Sequence, residues 1–129
     1  MLTPQELLQN LIDCIATADQ FGDDDSQTIF ATERQVKAVN IAIQKIIPGI
    51  KKAARIHLIA IISGRNPDLF RSSRDLTLQG ANAILHSIYG DAEDLSVAEM
   101  NPRTVTAIKH AHTSKEQNVQ PDLFAAQAL

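Results

Sequence analysis

The chain has 129 residues, enough for one domain with a single core and too few for two. Apolar residues make up 44% and charged residues 21%, which excludes a disordered or fibrous protein, and aromatics at 4% with no Trp make the core an aliphatic one. A single cysteine, Cys14, excludes an internal disulfide framework and a cysteine-rich zinc site, and the longest nearly apolar stretch, residues 56–62, is far too short to span a bilayer.

Thr3-Pro4-Gln5-Glu6 reads as a helix start, with Thr3 as N-cap, Pro4 at the first helical position and Glu6 closing a capping box. Leu7, Leu8, Leu11, Ile12, Ile15 and Ala18 follow at helical spacing, and the helix is expected to end near Gln20, with Gly22 as its stop. Cys14 falls on the apolar side of this helix and is expected to act as a small hydrophobe. Asp23-Asp24-Asp25-Ser26 reads as an acidic turn. It lacks the alternating ligands, central Gly and distal Glu of a calcium loop. No basic or apolar leader opens the chain, so the expected location is a reducing cytoplasm.

A second helix is capped by Thr32 and carries Val36, Val39, Ile43, Ile46 and Ile47 on one face. Pro48-Gly49 interrupts it. The segment from Ile50 to Ser63 ends in an almost continuous β-branched run, for which a strand is an alternative. With no partner strand visible, a buried helix stopped by Gly64 is the preferred reading. Asn66-Pro67 is expected to start a short helix through Phe70. Ser73 or Asp75 is expected to cap a longer one carrying Leu76, Leu78, Ala81, Ile84, Leu85, Ile88 and Tyr89, ended by Gly90. Asn101-Pro102 starts a last helix, after which the polar stretch Thr113-Ser114-Lys115-Glu116-Gln117-Asn118 reads as a linker. The expected fold is all-α: one compact bundle of five or six helices over residues 1–112, then a linker and C-terminal interaction tail over 113–129.

Charge is strongly segregated. Residues 1–33 carry seven acidic side chains and no Lys or Arg, whereas residues 34–74 carry nine basic side chains against Asp68 alone. Such a block suits phosphate contacts, with Lys51, Lys52, Arg55, Arg65, Arg71 and Arg74 as the candidates. It equally suits pairing with an acidic face of the same chain or of a neighbouring copy.

Recognisable catalytic or metal-binding patterns are missing from the sequence. His110 and His112 are two apart rather than four, and His57 and His86 lie in apolar stretches as hydrogen-bonded core histidines would. There is no nucleophile motif and no glycine-rich phosphate loop. The expectation is a non-enzymatic protein with no cofactor and no metal. Leu95–Met100 followed by Arg103–Lys109 hints at a helix-turn-helix, but the first helix is short and the turn lacks glycine, so two packed short helices are preferred.

The sharpest pattern is Gln120-Pro121-Asp122-Leu123-Phe124. It resembles the pentapeptide by which bacterial polymerases and repair proteins dock on the sliding clamp: Gln, a variable residue that is often Leu, Ser or Asp, Leu, then Phe or Leu. Gln120, Asp122, Leu123 and Phe124 match, and Pro121 departs from the commoner Leu. Leu123 and Phe124 are adjacent apolar anchors for a pocket, Gln120 a polar contact at its edge, and Pro121 a restraint that lowers the ordering cost of binding. A second Pro-Asp-Leu-Phe occupies residues 67–70, preceded by Asn66. The resemblance implies an accessory protein of bacterial or phage DNA metabolism, with the sliding clamp as protein partner, DNA as a further partner of the basic segment 34–74, and no membrane. The alternative is a phage virion component or other self-assembling adaptor, a homo-oligomer built through its acidic and basic faces.

Overall fold

The structure is a computed structural model and describes residues 2–19, 29–95 and 97–121, with side chains as far as Thr113. It is all-α, as the periodicity predicts. The described residues form α1 (Pro4–Ala18), α2 (Glu33–Ile46), α3 (Lys52–Ile62), α4 (Leu78–Tyr89) and α5 (Pro102–Pro121), with a 3-10 turn at Ser73–Asp75. The only pairing of extended backbone among them is an isolated antiparallel bridge between Phe30 and Thr77.

Each helix starts for a local reason. Thr3 and Glu6 close the expected capping box of α1, at 3.1 and 2.8 Å. Thr32 does the same for α2, with Gln35 as its reciprocal partner, and Gln35 also reaches Asn82 of α4 at 2.6 Å. α3 ends in a Schellman motif. Gly64 takes φ +73°, its N–H donates to Ile61 O at 3.1 Å, and the Arg65 N–H donates to Ala60 O at 2.9 Å. A Cβ at Gly64 would also lie 2.9 Å from the Ala16 Cβ of α1. Glycine is therefore needed there for both conformation and close approach.

The core is aliphatic. Ile15, Val39, Ile43, Leu58, Ile59, Ile62, Leu76, Ile84, Ile88 and Ile108 are all but fully buried. α1 lies along α5 and also touches α3 and α4, while α2 packs on α4. The β-branched run of α3 is helical because it is enclosed: α1, α2 and α5 all contact that helix, and tertiary burial overrides weak helix propensity.

Four expectations need correction. Residues 67–69 form a turn rather than a helix: Asn66 Oδ1 accepts the Asp68 N–H at 2.9 Å, and Asn66 O accepts the Leu69 and Phe70 N–H groups. The cap of α4 is Thr77, not Ser73 or Asp75. Those two belong to the 3-10 turn, where Asp75 closes a capping box with Ser72. Residues 95 and 97–100 are not helical, so the first of the two packed short helices is missing, and with it the first helix of a helix-turn-helix. The backbone of α5 runs on to Pro121, through the stretch expected to be a linker. Gln20, Gly22, the acidic turn at 23–26 and Asp122 to Phe124 of the tail motif lie outside the described residues.

Candidate functional site

The structure sorts the six candidate phosphate contacts into two groups at opposite ends of α3. That helix of 11 residues is about 16 Å long at 1.5 Å per residue, so the groups are separate surfaces.

At the C-terminal end of α3, Arg65 and Arg74 have carboxylate partners. Arg65 Nε donates to Asp19 Oδ2 at 2.6 Å, an Arg65 NH2 group donates to Asp75 O at 3.0 Å, and the guanidinium lies 5.9 Å from the centre of the Phe70 ring. Asp19 is almost completely enclosed, at 4% exposure. Its Oδ1 accepts from the Thr77 N–H at 2.8 Å and from the Thr77 hydroxyl at 2.6 Å. Thr77 in turn accepts from the Gly80 N–H at 3.0 Å. One carboxylate thus joins the end of α1, the turn after α3 and the start of α4, where the helix dipole favours negative charge. Gly80 has no side chain because the Asp19 carboxylate fills that space: an added Cβ would fall 2.7 Å from the Asp19 Cβ. Arg74 pairs with Glu33 at 3.3 Å, both side chains largely in solvent, and exposed Arg71 donates its backbone N–H to Asp75 Oδ2 at 2.8 Å.

At the N-terminal end of α3 the cations have no ion-pair partner among the described residues. Lys51 and Lys52 are exposed, and Lys45 stands exposed in the last turn of α2 just before the connecting loop. Lys51 is the N-cap but supplies no side-chain hydrogen bond, and no acidic residue lies in the first turn. The first helical N–H with an acceptor is that of Arg55, which donates to Lys51 O at 2.8 Å. Arg55 is half-buried, and its Nε is enclosed with no hydrogen-bond partner among the described residues. Cations next to bare amides are unfavourable to a helix dipole, so the start of α3 is left without the charge compensation that the start of α4 receives.

His86 and the cysteine are placed differently from expectation. His86 is exposed, with Nδ1 3.4 Å from Asp91 Oδ1, because it lies on the solvent side of α4's last turn. His57 and His112 are half-buried, and His110 Nε2 meets Gln5 Oε1 at 3.0 Å. Cys14 is exposed, since the buried stripe of α1 runs through Leu8, Leu11 and Ile15 to Asp19.

The two Pro-Asp-Leu-Phe segments also differ. Phe70 is buried at 5% exposure under Arg65, while Leu69 is 74% exposed. In the second copy Gln120 and Pro121 are the last residues of the α5 backbone, and their side chains lie outside the described part. No family model, curated protein or solved structure matches the chain.

Sequence reasoning missed Asp19, Thr77 and Gly80. A signal for Asp19 was present: it falls four residues after Ile15 and so continues the apolar stripe of α1. A carboxylate on such a stripe has to find a buried partner.

Proposed function

We propose that the chain is a non-enzymatic accessory protein of bacterial or phage DNA metabolism that docks on the sliding clamp through residues 120–124 and touches DNA phosphates through the lysine-rich end of α3. The observation that carries the reading is the contrast between the two Pro-Asp-Leu-Phe segments. The copy at 67–70 places its Phe in the core and is unavailable to a partner. The copy at 121–124 begins at the last residue of α5 and is preceded by Gln120, the residue that the clamp pattern needs and that Asn66 replaces in the inner copy.

The phosphate contact narrows from six candidates to four: Lys51, Lys52 and Arg55 at the start of α3, and exposed Arg71, which bonds Asp75 only through its backbone N–H. Lys51 and Lys52 flank bare helix amides, and Arg55 brings a further guanidinium to the same turn. Arg65 is committed to Asp19, and Arg74 to Glu33.

Calorimetry with a purified bacterial sliding clamp tests the docking. The expected result is micromolar binding that disappears in a Leu123→Ala/Phe124→Ala variant, and an intact protein that does not bind the clamp overturns the reading. The DNA contact is tested separately, by the salt dependence of duplex binding. Lys51→Gln/Lys52→Gln is expected to lower the slope of log K against log salt by about 2, close to one per phosphate contact removed. An unchanged slope removes DNA from the proposal.

A further inference from the structure

A trough of about 410 Å³ opens between α1, the C-terminal end of α4 and the start of α5. Leu2, Leu7 and Leu11 give it an apolar lining, and Cys14, His86 and Arg103 supply the polar groups that matter for its chemistry. A neighbouring hollow shares Leu2, Leu7 and Arg103 and extends it toward Glu6. The acidic groups beside it are engaged: Glu6 accepts the Thr3 N–H at 2.8 Å, and Asp91 stands 3.4 Å from His86. Arg103 is exposed and has no ion-pair partner among the described residues. Leu2, at 43% exposure, is one of the few large apolar side chains the bundle leaves in water. The trough therefore offers a lining that is half apolar and half polar, beside a cation without an ion-pair partner among the described residues, and it suits a segment with a carboxylate followed by two apolar side chains.

The sequence contains such a segment after α5: Asp122-Leu123-Phe124. Arg103 of its own trough is out of reach of Asp122. From Arg103 to Pro121 the helix advances about 27 Å. Three further residues, fully extended, return at most about 10 Å.

We infer that the trough receives Asp122, Leu123 and Phe124 of a second copy of this chain, with Asp122 against Arg103 and the two apolar side chains against Leu2, Leu7 and Leu11. The contact is heterologous, so it closes into a ring or propagates as a filament. This deepens the proposed function and shares with it the tail as docking element. Leu123 and Phe124 cannot occupy a trough and a clamp together, so self-association withholds the motif from the clamp, and clamp binding takes the assembly apart.

The native cysteine gives the test. Cys14 lines the trough and is the chain's only thiol, so Ala125→Cys places a second thiol one residue beyond Phe124. The full-length variant is oxidised with diamide and run on non-reducing gels, and linked peptides are identified by mass spectrometry. The expected product is a disulfide between Cys14 of one chain and the introduced thiol of another, at least tenfold more abundant than in the same variant carrying Leu123→Ala and Phe124→Ala. Arg103→Glu, at an exposed position, is expected to weaken self-association about tenfold in sedimentation velocity with an unchanged melting curve. A chain that stays monomeric, a cross-link indifferent to Leu123 and Phe124, or a link from Cys14 to the introduced thiol of the same chain overturns the inference. No clamp is present in this experiment, so its failure leaves the clamp reading standing and is distinct from failure of the calorimetric test.

Discussion

The N-termini of α3 and α4 pose the same electrostatic problem and meet it in opposite ways. α4 begins inside the bundle. Its Leu78 N–H donates to Ile29 O at 2.9 Å, its Gly80 N–H to the Thr77 hydroxyl, and the buried Asp19 carboxylate brings negative charge to the positive end of the dipole. α3 begins at the surface with an uncapped Lys51 and no carboxylate in its first turn. A buried helix start must be closed by the protein itself, because an enclosed N–H without an acceptor costs about 1–3 kcal/mol. An exposed start can stay open, because water or an anion completes it. The closed end is therefore structural, and the open end is the one to which we assign the proposed phosphate contact.

The comparison breaks most visibly at Asp19. Asp19→Ala leaves Arg65 half-buried without its partner and removes the acceptor from Thr77, so denaturant unfolding is expected to show a loss of about 3–5 kcal/mol, as for other broken buried pairs. A loss under about 1 kcal/mol, the range of an exposed pair, would mean that Asp19 does not close α4. Gly80→Ala comes next. Its new methyl meets the Asp19 side chain, and a loss of about 1–3 kcal/mol is expected from overpacking. In an Asp19→Ala background the same change is expected to be neutral or to stabilise by up to about 1 kcal/mol, since Ala favours helix over Gly. Additive effects of the two changes would contradict the direct contact.

The open end responds in the other direction. Lys51→Ser supplies the missing cap and removes a cation from the positive end of α3, so thermal melts are expected to show a gain of about 0.5–1 kcal/mol. The same variant is expected to bind duplex DNA less tightly. Stabilisation together with weaker binding is the signature of a residue kept for a ligand, and a destabilised variant would show that the open end is not open. The smallest effect lies at the far end of α4. Burial pushes the Tyr89 phenol above its ordinary value of 10.0. The ionised form is thus disfavoured in the folded chain. The corresponding stability is intact below the unfolded-state value and is lost as pH rises through the folded one. Tyr89 is the only tyrosine, so its absorbance titration reads the shift directly, and a midpoint at or below the ordinary value would contradict the burial.

Much of the fold was legible in the sequence where one short segment held all the information. Thr3 with Glu6, Thr32 with the apolar run after it, and Gly64 are local signals, and the structure uses each of them. Signals that admit several local partners were less readable. Ser73, Asp75 and Thr77 are all good caps, and the choice of Thr77 follows from Asp19, 58 residues away. The candidate site shows the same division. Lys51 and Lys52 were identifiable as basic residues at a break in periodicity. That Arg65 is committed to Asp19, and Phe70 to the core, depends on which helix ends meet.

The sequence by itself determined that this chain is all-α with an aliphatic core, where most of its helices begin, and that it carries two Pro-Asp-Leu-Phe segments, because periodicity, capping and composition act over a few residues. Only the tertiary structure decided which charges are committed and which remain. Burial brings Asp19 to Arg65, Thr77 and Gly80 across three elements and leaves the lysines of α3 facing water, and no local rule encodes a meeting between residues that the chain separates by nearly half its length.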